Sequence, residues 1–264
     1  MASEKSTHNV PMSTLGGNVC VRNGFRLDYC WIEAVKSLLP ICDEVVICDC
    51  DSDDGTRAAI DEWAAREPKI NTLNFPWTDP VHTNLWWPEY LNYARQHLKT
   101  EWHVQLDADE ILHEDSYEEV LRAAREHRTL MCERYNFFKD SRHLVPHGEC
   151  LGHRVIRVGA ANMWMPSDYP DPNSGPIERI AENSGVKIMH YGCLRKRDAY
   201  FKKARVVHKI WVNSYDQRLV DAENFQGNWM ESPGLNDWQD RLLEYNGTHP
   251  TIIHDWLRER GYSV

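Results

Sequence analysis

The run WHVQLDADE, Trp102 to Glu110, is largely apolar until it ends in two aspartates one residue apart, with a glutamate directly after. In an extended backbone alternate side chains point the same way. Asp107 and Asp109 are therefore predicted to converge at a strand end, while Ala108 turns away. Two hard oxygen ligands at such a point suit a divalent cation that also holds phosphate oxygens. The chemistry implied is metal-assisted handling of a nucleotide diphosphate. Spacing alone is weak support in an acidic chain, since Asp-x-Asp recurs at Asp49/Asp51 and Asp51/Asp53. Weight comes from a second acidic strand end, EVVICD over Glu44 to Asp49, and from a third candidate ligand downstream, His190.

The upstream cluster DCDSDDG superficially resembles a calcium loop. Counted from Asp49, the sixth position is Asp54 where glycine is needed and the twelfth is Ile60 where glutamate is needed, so that reading fails. Asp49 fits better at the carboxyl end of a parallel strand, where open α/β sheets bind ligands and a carboxylate can accept hydrogen bonds from a base or ribose. The helix expected after Thr56 would bring its positive N-terminus close by.

These residues need elements to hold them. Residues 18–22 read as a strand, and Leu27, Trp31, Val35 and Leu38 carry helical spacing up to Pro40. The continuous apolar run at 44–49 is typical of a buried parallel strand. Asp53 or Asp54 caps a helix to about residue 66. A strand at 70–75, a helix near 89–98 and the strand ending at Asp107 follow. Ser116 and Glu119 have capping-box spacing for a helix to about residue 127. Strand and helix alternating through short turns imply a mostly parallel sheet with helices on both faces. The second half changes character: strands at 129–138, 143–146, 153–158 and 186–190, a Pro/Asp/Ser/Gly-rich loop at 166–176, and helices from 196 to 211 and near residue 260.

Three motifs fall in order on these elements: VRN at Val21–Asn23, DCDSDDGT at Asp49–Thr56, and QLDADE at Gln105–Glu110. In this the chain resembles the nucleotide-sugar glycosyltransferases of family 2, with the GT-A fold. The likeness is to the soluble branch that opens with Arg-Asn-Glu and later carries Leu-Asp-Ala-Asp-Glu. It covers residues 17–112 and returns at 175–192, where GPIE and HYG look like the family's His-Glu element and its His-x-Gly strand end. The resemblance implies that Asp49 and Arg22 contact the nucleotide. It implies that Asp107 and Asp109 hold the ribose and a metal-bound diphosphate, with Mn²⁺ or Mg²⁺ as the ion, and that His190 completes the metal shell. Glu178 would stand where the family places its catalytic base, with Asp168 and Asp171 in the adjacent loop as alternatives. Arg195, which opens a basic run through Lys202, Lys203, Arg205 and Lys209, joins the donor-binding set. Inversion at the anomeric carbon is likewise implied. The sequence departs from the family pattern at Gly24, where Glu is usual, and at Ile177, where His is usual. The family's Arg-Asn pair before the central strand is only approximated by Asn92 and Arg95.

With 264 residues and 42% hydrophobic content the chain can bury a substantial core. Residues 1–14 are expected to be a disordered terminus and 15–264 a single domain. Within it, 15–112 forms the nucleotide-sugar half and 113–264 the acceptor half with terminal helices. No apolar stretch approaches a membrane span, and the eight cysteines lack a Cys-x-x-Cys pair. They read as buried thiols of a cytoplasmic protein. The expected partners are a nucleotide-diphosphate sugar, a UDP-sugar first, and a carbohydrate acceptor, with no integral membrane association. A hydroxylated base in DNA is a lesser alternative, because the net charge of −10 repels a polyanion. Two other classes stay in view: a sugar nucleotidyltransferase, which should show a Gly-rich loop after the first strand, and a non-catalytic carbohydrate-binding module. Here Gly16 and Gly17 precede that strand.

Overall fold

A computed structural model describes residues 14–77, 86–146, 154–161, 181–211, 216–235 and 238–264. The expectations for residues 1–13 and for Asp168, Asp171 and Glu178 lie outside the described residues.

The chain opens with β1 (Leu15–Val21), α1 (Trp31–Leu38), β2 (Glu44–Asp49), α2 (Thr56–Ala64), β3 (Ile70–Asn74), α3 (Trp86–Gln96) and β4 (Trp102–Asp107). It continues with β5 (Glu110–Leu112), α4 (Tyr117–Arg125), β6 (Leu130–Asn136), β7 (His143–Leu144), β8 (Arg154–Ala160) and β9 (Glu182–His190). Then come α5 (Arg197–Trp211), α6 (Gln217–Asn224), β10 (Leu243–Glu244) and α7 (His254–Glu259). The eight-stranded sheet runs β3-β2-β1-β4-β8-β6-β9-β5. Its first four strands pair in parallel, and β8 and β5 join antiparallel to their neighbours. The α/β class and its mostly parallel sheet are as the sequence implies.

Every residue of β1 and β2 is buried, which is why both are mostly apolar without alternation, Asn18, Glu44 and Asp49 excepted. Because the strands are in register, their carboxyl ends form one edge: Val21 lies beside Asp49, and Cys20 beside both Cys48 and Asp107. One core, with Trp31, Val35, Leu38, Ile47, Val104, Leu106 and Ile188 among its members, fills the space beneath α1 and α4. A smaller cluster of Cys20, Val46, Cys48, Cys50, Leu91 and Ala94 lies under α3. The seven described cysteines are free thiols. Among the described residues, no helix is long and apolar enough to cross a membrane.

Some local expectations need correcting. The first helix begins only at Trp31, because residues 22–28 form turns with Asn23 and Asp28 at positive φ. Ser116 and Glu119 do not form a capping box. The Ser116 hydroxyl accepts the Lys187 N–H at 2.9 Å instead, and Glu119 pairs with Arg122 and Arg128. A third difference is β5, which antiparallel pairing adds to the edge of the sheet directly after the two aspartates, placing Glu110 opposite His190.

Candidate active site

β4 stops at Asp107, and Ala108 and Asp109 form the turn into β5. The period-two alternation used to bring the two aspartates together therefore ends one residue too early. Ala108 does turn inward, to the core. Asp107 takes Arg157 Nη2 at 3.2 Å and remains partly exposed. Asp109 is buried and gathers a different set of partners.

One oxygen of Asp109, Oδ2, accepts Arg195 Nη2 at 2.5 Å and Lys203 Nζ at 2.9 Å. The other, Oδ1, lies 3.6 Å from His190 Nε2. Burial raises the pKa of this carboxyl, but Lys203, His190 and Arg195 outweigh burial and hold it well below the usual carboxylate range. Burial drives His190 down to about 4 against the pull of Asp109, so its imidazole is neutral at pH 7. Gly192 makes this approach possible. A Cβ there would lie 2.7 Å from His190 Nε2 and 2.9 Å from Asp109 Oδ2.

Glu110, fully buried, accepts Arg157 Nε and Nη2 at 3.0 Å each and Arg134 Nη1 at 3.2 Å. It also accepts the Asp107 N–H at 3.0 Å, which fixes the turn. Burial opposes its ionisation, yet the two guanidinium groups bring it to about 2. Arg195 is anchored on three sides, by Gly192 O at 2.6 Å, Leu27 O at 2.9 Å and the Tyr29 ring at 4.3 Å. Around the two buried carboxylates the chain thus packs four cations, Arg134, Arg157, Arg195 and Lys203.

At the neighbouring strand end, Asp49 is buried. Its Oδ2 accepts the Ser52 N–H at 3.1 Å, while Oδ1 has no hydrogen-bond partner. A buried carboxylate oxygen left open is a costly arrangement that a ligand N–H or O–H would relieve. Arg22 lies over the Trp77 ring at 3.9 Å, a stacked pair beside the same edge. The Asn23 side chain accepts the Asp53 N–H, and the Asn23 N–H donates to Ser52 Oγ, so the loops after β1 and β2 are tied together.

The structure thus brings Asp109, His190 and Arg195 into one group and holds Asp49 and Arg22 along the adjacent edge. It leaves Asp107 outside the Asp109–His190 pair. Lys203, Glu110, Arg134, Arg157 and Tyr29 were not singled out for this group. A usable signal existed for the two arginines, since Arg134 and Arg157 stand inside strands, where a buried charge requires a partner. For Lys203, which acts across 94 residues, the basic run was the signal, but nothing in it pointed to Asp109 as the partner.

Neutral His190 Nε2 facing a carboxylate oxygen, too far off to hydrogen-bond it well, is a donor set that fits a divalent cation. His190 Nδ1 and both amide atoms of Asn136, its neighbour in register, have no hydrogen-bond partner. A ligating imidazole needs an acceptor for its Nδ1 proton, and Asn136 is the register neighbour with an amide oxygen to spare. Among the described residues no group of three His, Cys, Asp or Glu could hold a metal alone. The remaining positions would fall to diphosphate oxygens and water.

A parallel sheet edge bearing an open carboxylate, next to a buried carboxylate ringed by cations, is an α/β arrangement suited to binding a ligand at the carboxyl ends of the strands. Residues 32–171, more than half of the chain, match the family described as Glycosyl transferase family 2, and the chain belongs to that family. No curated protein matches the sequence. Among solved structures, TarS from S. aureus aligns at 11% identity over 80% of this chain, with a TM-score of 0.47. This chain spans 42% of the TarS chain. The mannosyltransferase PcManGT from Pyrobaculum calidifontis, in complex with GDP-Man and Mn²⁺, aligns at 20% identity over 48% of this chain and 37% of its own, TM-score 0.37. A putative glucose-1-phosphate thymidylyltransferase from Bacillus anthracis aligns at 10% identity over 71% and 94%, TM-score 0.46.

Proposed function

We propose that this glycosyltransferase moves a sugar from a nucleotide-diphosphate donor to an acceptor hydroxyl with inversion, and that the acceptor is a carbohydrate. The observation that carries the reading is Asp109, whose carboxylate faces a neutral imidazole on one oxygen and two cations on the other. Breaking the sugar–phosphate bond builds negative charge on the departing diphosphate, and fixed cations stabilise that charge as it develops. Lys203, Arg195 and Arg157 are the cations placed for this work. Asp49 Oδ1 and the Arg22–Trp77 pair are the candidate contacts for base and ribose, with Asp107 toward the ribose. A divalent ion held by Asp109 and His190, Mn²⁺ or Mg²⁺, would add further positive charge at the diphosphate. The acceptor hydroxyl needs a carboxylate to take its proton. Glu178 is proposed for this, with Asp168 and Asp171 as alternatives. In this reading residues 15–112 form the donor half and 113–264 the acceptor half.

Two features support a carbohydrate over DNA. A cavity of about 320 Å³ is lined by Ser141, Arg142, Tyr245, Asn246 and His249. The Phe137 ring packs against Tyr245 at 5.1 Å and stacks on Tyr191 at 5.1 Å, so the recess adjoins the aromatic core on that side of the sheet. A polar recess with an aromatic wall suits a sugar. The basic run at 195–205, meanwhile, is occupied by internal partners: Lys202 pairs with Asp198, Arg205 with Glu223, and Arg197 donates to the Ala222, Glu223 and Phe225 carbonyls.

The test is release of UDP or GDP from a panel of nucleotide sugars, with oligosaccharide acceptors and with or without Mn²⁺. Turnover that requires an acceptor and falls by about 10²-fold or more in Asp109→Asn is expected. Ligand binding with no nucleotide release in any combination would leave a non-catalytic binding module. Pyrophosphate-dependent formation of nucleoside triphosphate would indicate a nucleotidyltransferase.

A further inference from the structure

Two cations share Asp109 Oδ2, and they are held very differently. Arg195 is 1% exposed and fixed by two carbonyls and the Tyr29 face. Lys203 is 26% exposed, arrives on a flexible four-carbon stem from α5, and meets Asp109 at 2.9 Å with the Tyr29 ring at 5.0 Å. Arg195 is held in place. Lys203 has room to leave.

We propose that Lys203 is a built-in counter-cation that occupies Asp109 until a nucleoside diphosphate arrives, and so makes metal uptake conditional on the nucleotide. This rests on the reading of Asp109 and His190 as metal ligands. A dication seated between Asp109 Oδ1 and His190 Nε2 would lie within a few ångströms of the ammonium, and the two repel. On its own, therefore, the ion meets a carboxylate already neutralised twice over. A diphosphate changes the balance, because its oxygens offer Lys203 a new anionic partner and the ion its missing ligands. By linkage, each ligand then tightens the other by the same factor. Lysine suits the role because it is a mobile point charge, whereas arginine in the same helix would carry a planar fork.

The experiment is Mn²⁺ binding followed by electron paramagnetic resonance on the full chain. It compares wild type, Lys203→Met and Lys203→Arg without nucleotide and with saturating UDP or GDP, and calorimetry on the same samples gives nucleotide affinity with and without Mn²⁺. Circular dichroism confirms that the variants are folded. Wild type should bind free Mn²⁺ weakly and at least 100-fold more tightly with the accepted diphosphate. Lys203→Met should bind free Mn²⁺ at least 10-fold more tightly than wild type and the diphosphate at least 10-fold more weakly. Its coupling between the two should shrink accordingly, while Lys203→Arg, which keeps the charge on a planar fork, falls between Lys203→Met and wild type. If Lys203→Met and wild type show the same Mn²⁺ affinity and the same coupling, the counter-cation role is overturned and the metal site stands. If wild type takes up no Mn²⁺ with either diphosphate, the metal reading and the role of Lys203 fall together, and calorimetry then reports separately on the donor site.

Discussion

Gly192 determines how closely His190 and Asp109 approach. Adding one methyl there would require the imidazole to move by several tenths of an ångström, since 2.7 Å is inside any real carbon–nitrogen contact. Gly192→Ala should therefore retain its far-ultraviolet circular dichroism yet lose nucleotide-dependent Mn²⁺ uptake by about 10-fold or more, in line with displacing a metal ligand. Unchanged uptake would remove His190 from the ligand set. Glu110 makes a second, independent statement about acid stability. Burial would raise its pKa, but Arg157 and Arg134 lower it from an ordinary 4.5 to about 2. A carboxylate with a depressed folded pKa contributes stability above its unfolded pKa, and the contribution is lost as pH falls toward the folded value. The protein should thus lose stability steeply between about pH 4.5 and 2, seen as a falling urea midpoint. Glu110→Gln should flatten that fall and cost about 3–5 kcal/mol at pH 7, because it leaves two guanidinium groups buried with less to balance them.

At the scale of elements, the sheet edge beside Asp49 depends on how α2 begins. Gly55 takes φ 94° and contributes no side-chain cap, so Asp54 does the capping, accepting the Thr56 N–H at 3.0 Å and its hydroxyl at 2.6 Å. It also accepts the Arg26 N–H at 2.7 Å, which ties the loop after β1 to the start of α2. Asp54→Ala should cost about 1 kcal/mol in chemical denaturation, as loss of an N-cap does, and raise the KM for the donor through the loosened loop. Capping by Asp53 or Asp54 was legible in the sequence because the residue types at a helix start are few. The parallel strands were legible for the same kind of reason: a strand buried on both faces has an apolar interior, as VVIC has between Glu44 and Asp49. β5 was not legible. Three residues, EIL, carry no period, and its partner β9 lies some 80 residues on, so only the finished sheet reveals the pairing. The capping-box spacing at Ser116 misled because Lys187, on a distant strand, competes for the same hydroxyl. Asp107 and Asp109 misled because alternation holds only while the strand lasts.

For the whole molecule, charge distribution outweighs charge total. The net value of −10 is spread over the surface, while Asp109 and Glu110 collect four cations in the interior. The site should attract a small dense anion where the whole protein repels a long one. Duplex DNA should therefore show no measurable binding at low salt, whereas nucleoside diphosphate affinity should fall only modestly as salt rises, because buried pairs are weakly screened. A DNA affinity that drops steeply between two salt concentrations, with a log-log slope near −0.9 per phosphate neutralised, would reopen the nucleic-acid alternative.

Asp28 accepts Arg260 Nε at 3.0 Å across 232 residues, and it also accepts the Lys196 N–H at 2.7 Å. Arg260 in turn lies over the Trp256 ring at 3.7 Å, which fixes it to α7. The loop that leads from Arg22 into α1 is thus finished by residues made long after it. At a synthesis rate of about 5–20 residues per second, roughly ten to fifty seconds separate Asp28 leaving the ribosome from the arrival of its partner. During that interval β1 and β2 can pair, but the loop between them lacks its guanidinium clasp. The nascent chain therefore carries this loop half-made until residue 260 has emerged.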